Sequence, residues 1–369
     1  MEVRQDFTGE ISRARHRLIP VEEALGFSVL ESAASRIEDD AVRELTAAAE
    51  RRVNVSEGPL IVVEVHPEPG GAVLIFGLCH TTIDGTGLST LLEEVAALLS
   101  YQELPPAPSY HERLRQSPTT IDVVDPAWLR RLSRARPITW PEKTDPDDGS
   151  FAFLPITITA DRMAVLRDRS RRLGVTRFVV VLDTFARVVH DVLAQDFRLG
   201  VCLSGRTQAT IRSLGNHVRA LPIPVDDECV QEGIDGVLSS LSSLRAYSDV
   251  PHQDLEQACV RLSGSQQPLF QVLIVWQNFP PWNLRVPGVE VESVALFPLQ
   301  AMFDVTLELF PNDHGAQGWL EWDPRVVPAD VAAKLHADLE AALQYGACGG
   351  GVDQPRPDLV PVVSRGSAT

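Results

Sequence analysis

The sequence predicts an α/β protein built in two lobes. Three observations predict it. The chain has 369 residues, more than a single domain commonly holds. Short apolar runs bounded by turn residues alternate with longer runs at helical spacing. A proline-punctuated stretch then divides the chain near residue 145. Apolar side chains make up 44% and charged ones 22%, which supports a sizeable core and excludes disorder as the main state.

Element by element, residues 38–52 (EDDAVRELTAAAERR) carry acids early and bases late, which predicts a helix. Residues 60–65 and 72–78 read as two strands around the Pro67–Gly71 turn. From Thr86 on, Leu88, Leu91, Leu92, Val95 and Leu98 recur at helical spacing, leaving 79–85 as the strand-to-helix loop. Prolines at 105, 106, 108 and 118 open a polar crossover, and those at 137, 141 and 146 close it, with a helix over 126–134 inside. The second half restarts with a strand at 151–158. Thr159 or Asp161 caps the next helix, which Gly174 ends. Thr176 caps a further helix to residue 194, with Val180, Val181, Thr184, Phe185 and Val188 on one face. Strands follow at 199–204, 270–277 and 302–310, then an amphipathic helix over 328–344. The domains expected are residues 1–145, 146–345 and a loose tail, 346–369.

Charge narrows the function. Against 33 basic side chains stand 50 acidic ones, a net charge of −17. That argues against a nucleic-acid binder working by phosphate neutralisation and against an anionic membrane surface. No run approaches the ~18 apolar residues of a membrane span, and the N-terminus lacks a signal-peptide pattern. Cys79, Cys202, Cys229, Cys259 and Cys348 are scattered with no C-x-x-C pair. Free thiols in a cytoplasmic protein are the expectation.

The most informative segment is Cys79-His80-Thr81-Thr82-Ile83-Asp84-Gly85, between a strand and a helix. His80 can present one imidazole nitrogen to a cavity while the other bonds to backbone. Asp84 is suited to bonding an arginine and holding the loop; a buried, satisfied His beside a turn Asp is the plainer alternative. Competing motifs fail on spacing. Gly85-Thr86-Gly87-Leu88-Ser89-Thr90 has Thr90 at the third glycine of a dinucleotide loop and no acid about 20 residues on. Walker A, His-Glu-x-x-His and Gly-x-Ser-x-Gly patterns do not occur. No third ligand near His80 and Asp84 suggests a metal. His190 reads as a core or boundary residue.

The segment His80 to Gly85 resembles the His-x-x-x-Asp-Gly signature of the CoA-dependent acyltransferase superfamily, and more narrowly of nonribosomal peptide synthetase condensation domains. Leu173-Gly174-Val175-Thr176, Leu199 through Gly205-Arg206, Leu214-Gly215, Phe270 to Asn278, Phe303-Asp304-Val305-Thr306-Leu307 and Trp322-Asp323-Pro324 resemble that family's later segments, in the same order, over residues 60–345. The resemblance implies a pseudo-dimer of two chloramphenicol-acetyltransferase-like lobes, each a mixed sheet with helices, and an active-site tunnel between them. It places His80 at the centre as base or orienting group and Arg206 in a salt bridge to Asp84. Asn278 lines the channel. Gly215-Asn216-His217-Val218-Arg219 departs from an aromatic-rich stretch of the family, so Arg219 could reshape the tunnel or meet an acidic acceptor; surface charge is the plainer reading. The Gly85 N–H is a candidate oxyanion donor, since glycine permits close approach. A neutral imidazole, with an ordinary pKa near ~6.5, suits deprotonation of an attacking amine or alcohol.

The implied reaction is acyl transfer to an amine or alcohol from CoA or from the phosphopantetheine thioester of a carrier protein, with no bound cofactor. Such an enzyme would stand alone and receive its substrates in trans. Arg130, Arg131, Arg134 and Arg136, or Arg167, Arg169, Arg171 and Arg172, could meet an acidic carrier; solvated helix faces are the plainer reading. Two further departures stand out. Cys79 replaces the first of two adjacent histidines, and the N-terminal lobe is several tens of residues short. They leave a catalytically silent module that recruits a carrier protein or partner enzyme as the alternative.

Overall fold

The computed structural model describes residues 4–6, 15–17, 25–31, 33, 37, 39–54, 58–108, 110, 124–142, 151–247, 250–264, 268–279, 282, 284–291 and 301–345. The expected tail and the expected boundary near 145 lie outside them. The chain divides into two units, each assembled from three stretches. The first unit takes residues 1–117, 205–218 and 279–296, and the second takes 118–204, 219–278 and 297–369. The division therefore differs from two consecutive halves. The connection after Ser204 and the stretch after Asn278 are grouped with the N-terminal residues, and 118–142 with the C-terminal ones.

In the first unit, β1 (Arg4–Asp6) pairs antiparallel with β2 (Arg15–Arg17). A separate three-stranded sheet has β3 (Leu25–Val29) parallel to β4 (Ile61–Glu68), and β4 antiparallel to β5 (Gly71–Leu78). Alternate residues of β4 are buried, the period-2 signature of a strand packed on one face. Val62 and Ile75 meet Ala49 of α1 (Asp39–Arg52) in a small core. Buried Glu64 on that same face is satisfied by Arg52 and by His66 Nε2 at 3.0 Å. Chain direction then reverses through a loop into α2 (Gly85–Leu99).

The second unit holds six strands: β6 (Ala152–Ile158), β7 (Phe197–Ser204), β8 (Val218–Val225), β9 (Val272–Trp276), β10 (Val305–Asn312) and β11 (Gly315–Trp322). Their order is β6-β11-β10-β9-β7-β8, with β7, β9 and β10 parallel and β6, β11 and β10 antiparallel. β6 alternates strictly between buried and exposed, and its Pro155 sits on an edge strand where one lost ladder bond is tolerated. The helices are α3 (Pro126–Arg134), α4 (Ala160–Leu173), α5 (Arg177–Leu193), α6 (Asp227–Glu232), α7 (Ile234–Ala246), α8 (His252–Ser263) and α9 (Ala329–Tyr345).

Thr159 caps α4, Thr176 caps α5, and Gly174 ends α4 in the left-handed region. The face of α5 singled out by spacing is buried throughout, and Phe185, Phe197, Ile274 and Leu307 are at 0% exposure in one apolar core. The strand expected at 302–310 begins only at Val305. Asp304 is held out of the ladder by Trp140 Nε1 and Gln271 Nε2, which donate to its Oδ2 at 2.7 and 2.8 Å.

Candidate active site

The site is built on the loop between β5 and α2. Cys79 N–H donates to Leu60 O, and both the N–H and the hydroxyl of Thr82 donate to Cys79 O, which closes a tight turn. Asp84 is the N-cap of α2 and sits in extended backbone. Its Oδ1 accepts from Gly87 N–H at 2.7 Å, satisfying one of the helix's orphan donors. The same carboxylate is 2% exposed and accepts three further bonds. Arg206 Nη2 donates to Oδ1 at 2.6 Å, Arg206 Nε to Oδ2 at 3.1 Å, and His217 N–H to Oδ2 at 2.9 Å.

Arg206 is equally committed. Its Nη1 donates to the carbonyls of Thr210, Ile211 and Ser213, and its Nη2 also to that of Gly215. Both side chains of the pair are at 2% exposure. Four accepted bonds engage the lone-pair directions of the Asp84 carboxylate. Its chemistry is to fix the start of α2 against the 205–218 connection.

His80, four residues before this knot, is exposed. Its backbone carbonyl accepts from Asn216 Nδ2 at 2.8 Å. The N–H groups of Gly85 and Thr86, in the first turn of the 15-residue α2, meet no acceptor among the described residues. Donors at a helix N-terminus, with the dipole behind them, favour nearby negative charge.

The close approach at Gly85 is made by protein. A Cβ there would lie 2.3 Å from the Phe279 ring. Trp282, stacked on Phe279 with centroids 5.0 Å apart, donates its Nε1–H to Gly85 O at 3.0 Å. Sequence reasoning missed Phe279, Trp282, Asn216 and Tyr110. The aromatic-and-proline run from Trp276 to Trp282 was the one available signal.

Asn278 is exposed and Arg219 half-buried; both are grouped with the second unit. Among the arginines expected to meet an acidic partner, Arg131 is bound through Nε and Nη2 to Asp226 at 2.7 and 2.6 Å, beside a cleft of about 460 Å³ that also takes in Asp227 and Glu228. Arg169 faces Asp183, and Arg171 pairs with Asp168. Burial pushes the Cys202 and Cys229 thiols up to about 12 and 11, so neither is an activated nucleophile. No helix among the described residues is long and apolar enough to cross a membrane.

Comparison with known proteins identifies the family and the fold. Malpinin synthetase of Mortierella alpina is 27% identical over 293 residues, covering 73% of this chain and 4% of its own length. A probable non-canonical nonribosomal peptide synthetase, CymA, of Salinispora arenicola (strain CNS-205) is 27% identical over 327 residues, covering 74% of this chain and 4% of its own. The chain thus spans under a tenth of the curated relatives it matches. The fold is shared with the X-domain from teicoplanin biosynthesis. Solved alone, that domain aligns with TM-score 0.71 at 15% identity, covering 93% of this chain and 84% of that one. Solved in complex with OxyB it gives 0.68 at 17%, covering 93% and 82%. The model of the Condensation domain family matches residues 20–317, and the chain belongs to that family.

Proposed function

We propose that this chain is a condensation-type acyltransferase that joins an acyl thioester to an amine or alcohol in nonribosomal peptide or related secondary-metabolite synthesis. One observation carries the reading. An exposed His80 is set on a loop whose far end is held by the Asp84–Arg206 pair, and the N–H groups of Gly85 and Thr86 on that loop's helix meet no acceptor among the described residues. In this reading the acceptor nitrogen or oxygen attacks the thioester carbonyl as the His80 imidazole takes its proton. The C–S bond then breaks, and the proton passes to the departing thiolate. The N–H groups of Gly85 and Thr86 stabilise the tetrahedral oxyanion. The sulfur is that of CoA or of a carrier protein's phosphopantetheine. No resident cofactor takes part. Asn278 and Arg219 are proposed to contact the substrates.

The test is a mass-spectrometric transfer screen with a panel of acyl-CoA and carrier-bound acyl thioesters against amines and alcohols. Positioned acid–base catalysis usually contributes about 10²- to 10⁴-fold, so His80→Ala is expected to lower product by at least about tenfold. Equal product from both proteins removes His80 from the mechanism.

A second reading is a silent module that recruits a carrier protein or enzyme. It is favoured by Cys79, buried in place of a first histidine and bonded to Thr81 Oγ1, and by the likeness to an X-domain whose structure was solved with OxyB bound. Carrier binding unaffected by His80→Ala, with no transfer from any pair in the panel, would favour it.

A further inference from the structure

We propose that Asn216 is a positioning residue for His80, holding the loop backbone that carries the imidazole; this rests on the reading of His80 as the reacting group. The argument starts from what holds each residue of the loop. Cys79 is tied to Leu60, Thr82 to Cys79, and Asp84 to Gly87, Arg206 and His217. For the backbone of His80, one restraint is present among the described residues: Asn216 Nδ2, donating to its carbonyl at 2.8 Å. That carbonyl belongs to the peptide joining His80 to Thr81. Holding it anchors the backbone from which the His80 side chain springs.

Asn216 is itself held on every side. Its Oδ1 accepts from Val218 N–H at 3.1 Å, so both ends of the amide are used. Its own carbonyl accepts from the Tyr110 hydroxyl at 2.6 Å. Gly215 precedes it, pressed so closely on the Tyr110 ring that a Cβ would lie 2.3 Å away. His217 follows it, edge-on to the same ring at 4.9 Å, with its N–H on Asp84 and its carbonyl taking Gly205 N–H at 3.0 Å. The flanking residues thus belong to the Asp84–Arg206 knot, and the Asn216 side chain passes that rigidity one step further, onto His80. The motif His80-x-x-x-Asp84 is braced twice: at Asp84 by Arg206, and at His80 by Asn216.

Such a brace acts on geometry, where displacements near 1 Å can cost about 10²-fold in rate. The experiment uses the full chain with Asn216→Asp and Asn216→Ala. Asn216→Asp keeps an acceptor for Val218 and loses the donor to His80; Asn216→Ala loses both without adding charge. The transfer probe is the acyl thioester and acceptor pair giving most product with the wild type. Expected in both variants are a fall in kcat of about tenfold or more with KM within about twofold, and faster hydrogen exchange confined to the peptide spanning residues 79–88, with the unfolding midpoint unchanged. Wild-type kcat and exchange in Asn216→Asp overturn the assignment while His80→Ala remains inactive. A lowered midpoint with exchange raised across the whole first unit also overturns it, showing a general structural role. Equal transfer by wild type and His80→Ala overturns the underlying reading instead, whatever the exchange shows.

Discussion

Asp84 in the first unit and Glu321 in the second are both buried, at 2% and 6% exposure, yet the protein treats them in opposite ways. Asp84 meets a guanidinium and two backbone N–H groups, all within 3.1 Å. Glu321 lies on a β-ladder opposite Thr306, with Glu308 two residues along the partner strand on the same face. Burial, with the Glu308 charge adding to it, pushes the Glu321 carboxyl up to about 7 against smaller opposing contributions from Thr306 and Trp319. One carboxyl is compensated in place; the other keeps its proton. A buried acid beside the exposed His80 therefore serves rigidity, whereas a buried acid in the sheet carries a pH dependence.

The largest effect should come from removing the compensation. Asp84→Asn keeps the shape and the cap to Gly87 but leaves Arg206 buried without its counter-charge and sets an amide N–H toward other donors. Breaking a buried pair from one side costs about 3–5 kcal/mol, read in urea unfolding. A loss under about 1 kcal/mol would erase the contrast with Glu321.

Glu321→Gln should have the opposite sign. An unfolded glutamate titrates near 4.5, whereas this one holds its proton to about 7 when folded. The folded state binds more protons across that window, so wild-type stability falls as pH rises from 4.5 to 7. Gln carries no such dependence. The variant should gain on the order of 3 kcal/mol over the wild type at pH 8 relative to their difference at pH 4. Parallel pH profiles for the two proteins would place the ionisation elsewhere.

The contrast also separates what a sequence reveals from what it hides. α3, α4 and α5 were legible because caps and spacing are local: Asp125, Thr159 and Thr176 each accept an N–H two or three residues on. β8 was not, because Pro222 and Pro224 read as turn punctuation; the strand lies at the sheet's edge, where such residues are tolerated. β11 was hidden by Gly315 and Gly318, the latter pressed against the Glu308 carbonyl of the neighbouring strand. In the site, His80, Asp84 and Gly85 fall within six residues and stand out, and Arg206 came only with the family resemblance. Asn216, Phe279 and Trp282 act on that loop from 136 to 197 residues away, and Tyr110 acts through Asn216, with no spacing to announce them. Nor does either strand alone signal Glu308 beside Glu321, since that proximity exists only in the register of β10 on β11.

The smallest effect tests which cause dominates at Glu321. Burial is the larger influence and the Glu308 charge the lesser. Glu308→Gln removes the charge, keeps an acceptor for Gln277 Nε2 and leaves the burial of Glu321 unchanged. The Glu321 midpoint, followed by carboxyl carbon NMR, should move down yet remain above 4.5, because burial persists. A return to an ordinary glutamate value would make the carboxylate pair, rather than the dry sheet face, the origin of the shift. The two acids compared here would then differ only in the sign of their nearest neighbour: guanidinium for Asp84, carboxylate for Glu321.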